Sequence, residues 1–507
     1  MINMTARVLS AATVGYKGKL IEVECDVAKG LPALQIVGLT GKSIDEARDR
    51  VRAAISNSHL DFPARKVTVN LAPASLPKDG SHFDLPIALA ILITSGQLRQ
   101  SVLDSTVCAG ELSLSGELRP IRGAIHVAET AREHGMHTVI VPEQNAAQAA
   151  LIKDIKVIGA KTLSEVYLHL LGEKRLLPID GEKTPTATST VGIDFSDIQG
   201  QDQAKRALII AAAGNHNILF DGPPGAGKTM LARALTSILP PLTYQEKIEI
   251  TKLKSISGED VETITTQRPF RSPHHTASYV ALIGGGTRPL PGEVSLAHRG
   301  VLFLDELPEY PRMSLESLRQ PLEDREVHVS RSAGRVTYPA NFMLVATKNP
   351  CPCGYFGDPS RECTCSSQAL LQYQKRVSGP LLDRIDMVVT VARVSEKDLL
   401  NSPGGTPVSP VIRHQVTQAR EAQYKRYNDE IHNAEIGSKQ IAARTHLSDD
   451  AKTLLTAASE RMQLSARSYF KVIKVARTIA DLENSLQIMS PHIAEALQYR
   501  LMPSLNR

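Results

Sequence analysis

No run of apolar residues in this sequence is long enough to cross a membrane. The longest, Leu85 to Thr94 (LPIALAILIT), has the length of a buried helix. The stretch from Met1 to Leu20 lacks the extended apolar core and the cleavage site of a secretory signal. A cytoplasmic location and no membrane partner are therefore expected. A strong charge of one sign is also missing. The net charge is +5, from 58 Lys and Arg against 53 Asp and Glu, which permits nucleic-acid binding without arguing for it. Tryptophan is absent, and aromatic residues make up 4% of the chain. Cysteine is scarce too. Of the six, Cys25 and Cys108 stand alone and four fall at 351–365. In a reducing compartment such a cluster points to a metal site rather than a disulfide framework.

What is present is an ordinary globular composition over 507 residues, a length that suggests about three domains. Residues 20–27 alternate: Ile21, Val23, Cys25 and Val27 face one way, and Glu22, Glu24 and Asp26 the other. That is a half-buried strand. Lys66 to Leu71 repeats the pattern, helical patterns cover 43–58, 84–95 and 124–134, and a strand follows at Thr138 to Val141. Residues 1–172 thus read as one α/β domain. The polar, Pro/Thr/Gly-rich stretch at 172–191 places a linker at 173–195. From 196 to 395 strands and helices alternate, as in a parallel sheet covered on both faces. After a Pro/Gly break at 402–410 the pattern is helical, so 396–507 reads as a helical domain. No internal repeat is present.

The chemistry concentrates in the middle domain. Residues 218–229 read ILFDGPPGAGKT, an apolar strand running into Gly222-Pro223-Pro224-Gly225-Ala226-Gly227-Lys228-Thr229 and then a helix. Glycines let backbone N–H groups wrap phosphates. Lys228 is placed for the β- and γ-phosphates of ATP, and Thr229 for Mg²⁺. The helix N-terminus adds its positive dipole end. Downstream, VLFLDE delivers Asp305 and Glu306 to the end of a buried strand, where ligands of an open α/β sheet bind. Asp305 suits Mg²⁺ and Glu306 suits polarising the attacking water. Phosphoryl transfer also needs groups that act on the γ-phosphate. Asn349 ends a second buried strand (NFMLVATKNP). Arg384 lies on a helix-to-strand loop (SGPLLDRIDMVV), and Arg467 opens a helix (LSARSYFKVIKVARTIADLE).

With these residues in this order the chain resembles the AAA+ superfamily, and within it the magnesium-chelatase-like branch. The stretches RPFRSPHHTASYVALIGGG, PGEVSLAHRGVLFLDELPEYPR, LRQPLEDREVHVSR and NPCPCGYFGDPSRECTCS are similar to the ComM/YifB family. The resemblance implies a P-loop AAA+ parallel-sheet core with a C-terminal helical lid. It makes Asn349 the first sensor, Arg384 an arginine finger reaching a neighbouring subunit's ATP, and Arg467 the second sensor. It implies a homo-hexameric ring, and a branch-migration helicase acting on single-stranded or branched DNA in recombination or transformation. Lys348 departs from the apolar residue expected before Asn349. The N-terminal domain resembles the proteolytic domain of Lon through PKDGSHFDLPIALA from Pro77. The family's serine position falls on His82, with Ser81 one place early, and its lysines fall on Ile125 and Val127. The Ser–Lys dyad is missing, so peptidase activity is not expected.

Two segments are candidates for substrate contact. Residues 267–299 hold four arginines and one glutamate with Phe270, Tyr279 and three consecutive glycines, which suits phosphate contact and base stacking. Arg271, His274 and His275 are the DNA candidates there, and a subunit-packing loop is the other reading. The adjacent histidines make a poor metal pair. Residues 326–338 read as a hairpin with Arg331 and Arg335 flanking its turn, either gripping DNA or lying solvated at an edge. Cys351, Cys353, Cys363 and Cys365 form C-x-C, nine residues, C-x-C. Four thiolates can close a tetrahedral zinc site. A reduced, metal-free loop is the alternative. A metal-chelatase motor or a protein remodeller remain the rival functions.

Overall fold

The computed structural model describes residues 5–38, 42–76, 78, 80–179, 193–259, 264–286, 289–331, 334–358, 361–394 and 407–500, without the side chains of 42–44, 330–331 and 442. Pro77 and Asp79 of the Lon-like segment, the hairpin turn at 332–333 and the start of the C-terminal domain at 396–406 lie outside the described residues.

The N-terminal part is built on a seven-stranded mixed sheet. Its order is Ala33–Val37, Lys66–Ala72, Lys17–Ala28, Ala6–Val14, Thr106–Cys108, Thr138–Pro142 and Lys156–Ala160. Ile21, Val23 and Cys25 are buried, as the alternation requires, and pair antiparallel with Ser10, Val8 and Ala6. The apolar run beginning at Leu85 forms the helix Asp84–Thr94, buried from Asp84 to Ile93, which explains why it carries no polar face. The helix also buries Asp84, whose carboxylate receives Arg50 Nε at 2.8 Å. The expected linker begins later than 173. Pro178 bridges to Ile158, and Ile179 N–H donates to Val157 at 2.9 Å, so the chain is tied to the sheet edge up to 179. Residues 180–192 lie outside the described part.

The second sheet has five parallel strands in the order Phe270–Arg271, Val301–Leu304, Met343–Lys348, Ile218–Asp221 and Met387–Thr390. Val301 to Leu304 are all buried, and so are Ile218 to Phe220 and Met343 to Thr347. Strands covered on both faces read as continuous apolar runs, and these do. The described residues from 407 on form helices, including Ser409–Tyr427, Asp449–Met462, Ala466–Leu482 and Ser490–Gln498, and no strand. This helical part grips the core through buried polar groups. Arg420 Nη2 and Gln423 Nε2 donate to the Ala212 and Ala213 carbonyls at 2.6 and 3.0 Å, and Lys471 Nζ lies 3.1 Å from Asp386.

The N-terminal part docks on the core helix Tyr244–Ser257. Lys252 Nζ lies 2.7 Å from Glu129 and 4.2 Å from the centre of the Tyr16 ring, and Gly123 N–H donates to Ser255 Oγ at 2.9 Å. Lys252 is buried, so its ammonium depends on Glu129 for compensation. Removing one partner of a buried pair costs about 3 kcal/mol or more. Glu129→Ala is therefore expected to lower the first transition in a urea melt by an amount of that order. Glu22→Ala, whose pair with Arg7 is solvent-exposed, should shift it by less than about 1 kcal/mol.

Candidate nucleotide site and its neighbours

The parallel register brings three loops to one edge. Ile218–Asp221 lies between Met343–Lys348 and Met387–Thr390, with Asp221 opposite both Lys348 and Thr390. The residues that follow each strand therefore emerge together. Gly222 is needed at the first step, because a Cβ there would lie 2.1 Å from the Val391 carbonyl oxygen. Gly225 and Gly227 have φ of +77° and +82°, a region side chains rarely adopt, with no atom within 4 Å of where a Cβ would stand. Helix Lys228–Ile238 begins immediately after it.

Lys228 is buried, and its amine donates to the carbonyls of Gly222 and Pro223 and to Asn349 Oδ1, the last at 3.0 Å. Burial lowers its pKa, opposed by the nearby Asp221, Asp305 and Glu306. Thr229 Oγ1 donates to Asp305 Oδ2 at 3.2 Å. The other Asp305 oxygen accepts from Thr347 Oγ1 at 2.5 Å, and Thr347 in turn receives Glu306 N–H at 2.9 Å. Glu306 sits in the left-handed region at φ 52°, which turns the chain out of the strand as soon as Asp305 is delivered. A phosphate cradle, a buried lysine and a Thr–Asp pair fit a nucleotide with Mg²⁺. Lys228 and the loop amides would hold the phosphates, and Thr229 and Asp305 the ion.

Lys348 is explained by the sheet. Its Nζ lies 2.9 Å from Asp221 Oδ2 on the adjacent strand, so the two departures from apolar character compensate each other and Asn349 stays beside Lys228.

A cleft of about 390 Å³ adjoins the phosphate loop. Its walls include Ile198, Gln201, Pro224, Met230, Arg393 and Val394. Ile198, Gln201 and Arg393 belong to none of the motifs singled out in the sequence. A usable signal was present in Asp197-Ile198-Gln199-Gly200-Gln201 directly before a helix, where Gly200 and Gln201 both adopt positive φ, 58° and 57°.

Arg384 and Arg467 lie elsewhere. Arg384 precedes Met387–Thr390, at the edge of the sheet opposite the phosphate loop. A four-residue strand spans about 13 Å, so the length of the strand separates the backbone of Arg384 from the phosphate loop. It donates to the Arg319 carbonyl at 2.9 Å, to the Pro380 carbonyl at 2.7 Å and to Glu323. Arg467 donates to the other Glu323 oxygen at 2.5 Å. One carboxylate thus gathers both arginines, beside a second cleft of about 440 Å³ that shares no residue with the first.

The insert requires a correction. Arg271, expected to be available for DNA, is held by two carboxylates. Its Nε and Nη2 lie 2.6 and 2.8 Å from Glu293, and Nη1 and Nη2 each lie 2.9 Å from Glu259. Arg268 is paired with Glu246 at 2.9 Å and Arg299 with Glu249 at 2.8 Å. Three of the four arginines are therefore internal ties, and Arg288 lies outside the described residues. In the glycine run, Gly284–Gly285 pairs with Leu290–Pro291 as a short ribbon. His274 and His275 sit with ring centres 4.1 Å apart, His274 exposed. The hairpin forms as expected, Glu326–Arg331 against Gly334–Pro339, with Ser330 opposite Arg335 and the Arg335 side chain exposed.

The four clustered cysteines meet. The Sγ atoms of Cys351, Cys353 and Cys363 are 3.3–3.7 Å apart, and all four sulfurs, Cys365 included, lie within 4.8 Å of one another. The edge of a tetrahedron with 2.3 Å zinc–sulfur bonds is about 3.8 Å. Phe356 N–H points at Cys351 Sγ at 3.3 Å, and backbone N–H from Tyr355 helps draw the Cys353 thiol down to about 6. In the N-terminal part Ser81 donates to Glu111, while Ile125 and Val127 are buried among apolar side chains.

A phosphate loop on an inner strand of a parallel sheet, with acidic and polar partners at the same edge and a helical C-terminal part, defines an AAA+ ATPase. Three family descriptions match in tandem: "Subunit ChlI of Mg-chelatase" over residues 23–145, "Magnesium chelatase, subunit ChlI" over 194–399, and "Magnesium chelatase, subunit ChlI C-terminal" over 407–500. Competence protein ComM of Haemophilus influenzae is 44% identical over 505 residues, covering 99% of this chain and 98% of that protein. The YifB protein of Salmonella typhimurium is 43% identical over 503 residues, covering 99% and 98%. The 67 kDa magnesium-chelatase subunit of Chlorobaculum tepidum is 31% identical over 163 residues, 31% of this chain and 23% of that one. The chain belongs to the ComM/YifB family of magnesium-chelatase-like proteins.

Lys228→Ala is expected to abolish phosphate release and nucleotide binding together. Asn349→Ala should lower kcat by roughly 10²-fold while leaving nucleotide affinity within about threefold, the outcome expected of an amide that acts on the reacting groups rather than on the whole phosphate chain. Steady-state phosphate release and fluorescent-ADP titration measure the two quantities.

Proposed function

We propose that the chain is a ring-forming, ATP-driven DNA motor of the cytoplasm, with a role in branch migration during recombination or transformation. The observation that carries the ring is the position of Arg384 at the sheet edge opposite its own phosphate loop. A finger there serves a neighbour's ATP, and Arg467, held on the same carboxylate, serves the same nucleotide. A hexamer is the ring expected of this superfamily. On this reading Lys228 and residues 222–227 bind the phosphates, Thr229 and Asp305 bind Mg²⁺, Glu306 polarises water, and Asn349 orients it. Arg384 and Arg467 stabilise charge on the transferring phosphoryl group.

DNA as the substrate draws on the name of the Haemophilus relative, a competence protein, and on the hairpin that carries Arg331 and the exposed Arg335. His274 and His275 are secondary candidates, and Arg271 is not a free contact. The domain division, with a linker that starts after the tie at Ile179 rather than at 173 and a second boundary at 396, separates a Lon-like scaffold, motor core and lid. The four cysteines bind structural zinc, which metal analysis of the purified protein tests: about one zinc per chain is expected, and four freely titrating thiols without zinc would sink this reading. The chelatase reading is favoured by the family descriptions of the core. Full-length likeness to ComM and YifB outweighs it.

Arg384→Ala should abolish turnover and leave fluorescent-ADP affinity within about threefold, because the residue acts at a transition state on another chain. DNA at low salt should stimulate ATP hydrolysis severalfold, and Arg331→Ala/Arg335→Ala should lose the stimulation while keeping the DNA-free rate. A rate unaffected by single-stranded or branched DNA, but raised by a porphyrin, would instead establish the chelatase reading.

A further inference from the structure

The cysteine knuckle is more than a neighbour of the nucleotide site. Among the described residues from 350 to 365 there is no helix or strand, so backbone ladders do not fix the shape of this loop. Yet it bears on the site at three points. Cys351 follows two residues after Asn349, whose Oδ1 accepts from Lys228 at 3.0 Å. Gly354, at φ +87°, lies so close to the phosphate loop that a Cβ would be 2.6 Å from Pro224 Cδ. Asp358, 5% exposed at its side chain, lies 3.7 Å from Arg393 Nε, and Arg393 lines the nucleotide cleft with Pro224 and Ala226. The Tyr355 ring supports the same guanidinium at 5.4 Å.

We propose that zinc held by Cys351, Cys353, Cys363 and Cys365 is a strut of the nucleotide site. The metal fixes the loop that presses Gly354 on Pro224 and aims Asp358 at Arg393, and so sets how tightly the cleft holds an adenine nucleotide. Within the loop Gly354 N–H donates to the Cys351 carbonyl at 3.0 Å and Asp358 N–H to the Tyr355 carbonyl at 3.1 Å, which shape two local turns, while the four sulfurs within 4.8 Å of one another join its two C-x-C ends. Asp358 is a positioning residue in this scheme, acting on the nucleotide through Arg393. The proposal rests on the zinc reading above and adds that the metal is felt at the nucleotide.

The test uses the full chain and a fluorescent ADP. Zinc is released with a mercurial in the presence of a chelating dye, which counts it, and is then returned. Release should weaken ADP binding about tenfold and return should restore it. Asp358→Asn and Arg393→Gln should each keep zinc and weaken ADP binding about three- to tenfold, and the double variant should be no weaker than the worse single. Zinc present but ADP affinity unchanged on its release would overturn the strut alone. No zinc bound or taken up would overturn the zinc reading and the strut together. Asp358→Asn binding ADP as the parent does would show that Arg393 acts without the knuckle and would also overturn the proposal.

Discussion

The buried amine of Lys228 is the interaction on which the rest of the core depends. A lysine taken out of water must be met by acceptors, and here they come from two different pieces of chain. The Gly222 and Pro223 carbonyls belong to its own loop, and Asn349 Oδ1 arrives from the end of the neighbouring strand. That meeting is possible because Asp221 and Lys348 are directly opposite in a parallel register. Their ion pair closes the gap between the two strand ends just before the loops diverge. A nucleotide's phosphates can replace the carbonyls as partners of the amine without any strand having to move, so the site is preorganised for polyanions.

The same parallel register sets the phosphate loop and the arginine pair apart within one chain. Parallel strands send all their following loops to one edge, and Arg384 precedes its strand and falls at the other. No side-chain rotation carries a guanidinium across a strand length of about 13 Å plus its flanking turns. The chain therefore carries a phosphate cradle at one edge of the sheet and an arginine pair at the other. Glu323 keeps the pair together. One of its oxygens takes an arginine from the core and the other takes one from the lid, so the spacing of the two guanidinium groups is set before any neighbour arrives.

The parts legible in the sequence were those encoded locally. The phosphate loop is eight contiguous residues between an apolar strand and a helix, and its geometry follows from glycine and from the helix start. The alternating strands, the buried 84–94 helix and the hairpin likewise express a period of 2 or 3.6. What was not legible depended on partners distant along the chain. Arg268, Arg271 and Arg299 read as a basic patch because Glu246, Glu249 and Glu259 sit outside the segment they neutralise. Lys348 looked anomalous until Asp221, far back in the sequence, was placed beside it. The tie at Pro178 and Ile179 was hidden because one bridge and one hydrogen bond leave no periodic trace in a Pro- and Thr-rich stretch. Charge counted along a segment measures composition, while the field at a surface depends on which charges remain unpaired in three dimensions.

The hairpin is held by two other parts of the molecule at once. At its return strand Val336 meets the turn of the N-terminal part so closely that a Cβ on Gly15 would lie 2.1 Å from Val336 Cγ1. At its base Arg325 lies 3.1 Å from Glu435 of the lid, and Asn341, just past the return strand, donates to the same Glu435 oxygen at 3.1 Å. Glu435 also receives Asn215 at the end of a core helix, at 3.1 Å. Burial opposes ionisation of Glu435, but His432, Arg325 and Asn341 hold its carboxyl well below the usual range, so the carboxylate stays charged at neutral pH. A buried charge with several donors resists loss of any one of them, because each departure leaves the rest to carry the desolvated oxygen. The base of the hairpin thus moves with the lid and the core helix as a unit, and the N-terminal part bears on it from the other side. Displacing this hairpin relative to the sheet requires the lid, the N-terminal part, or both to move with it.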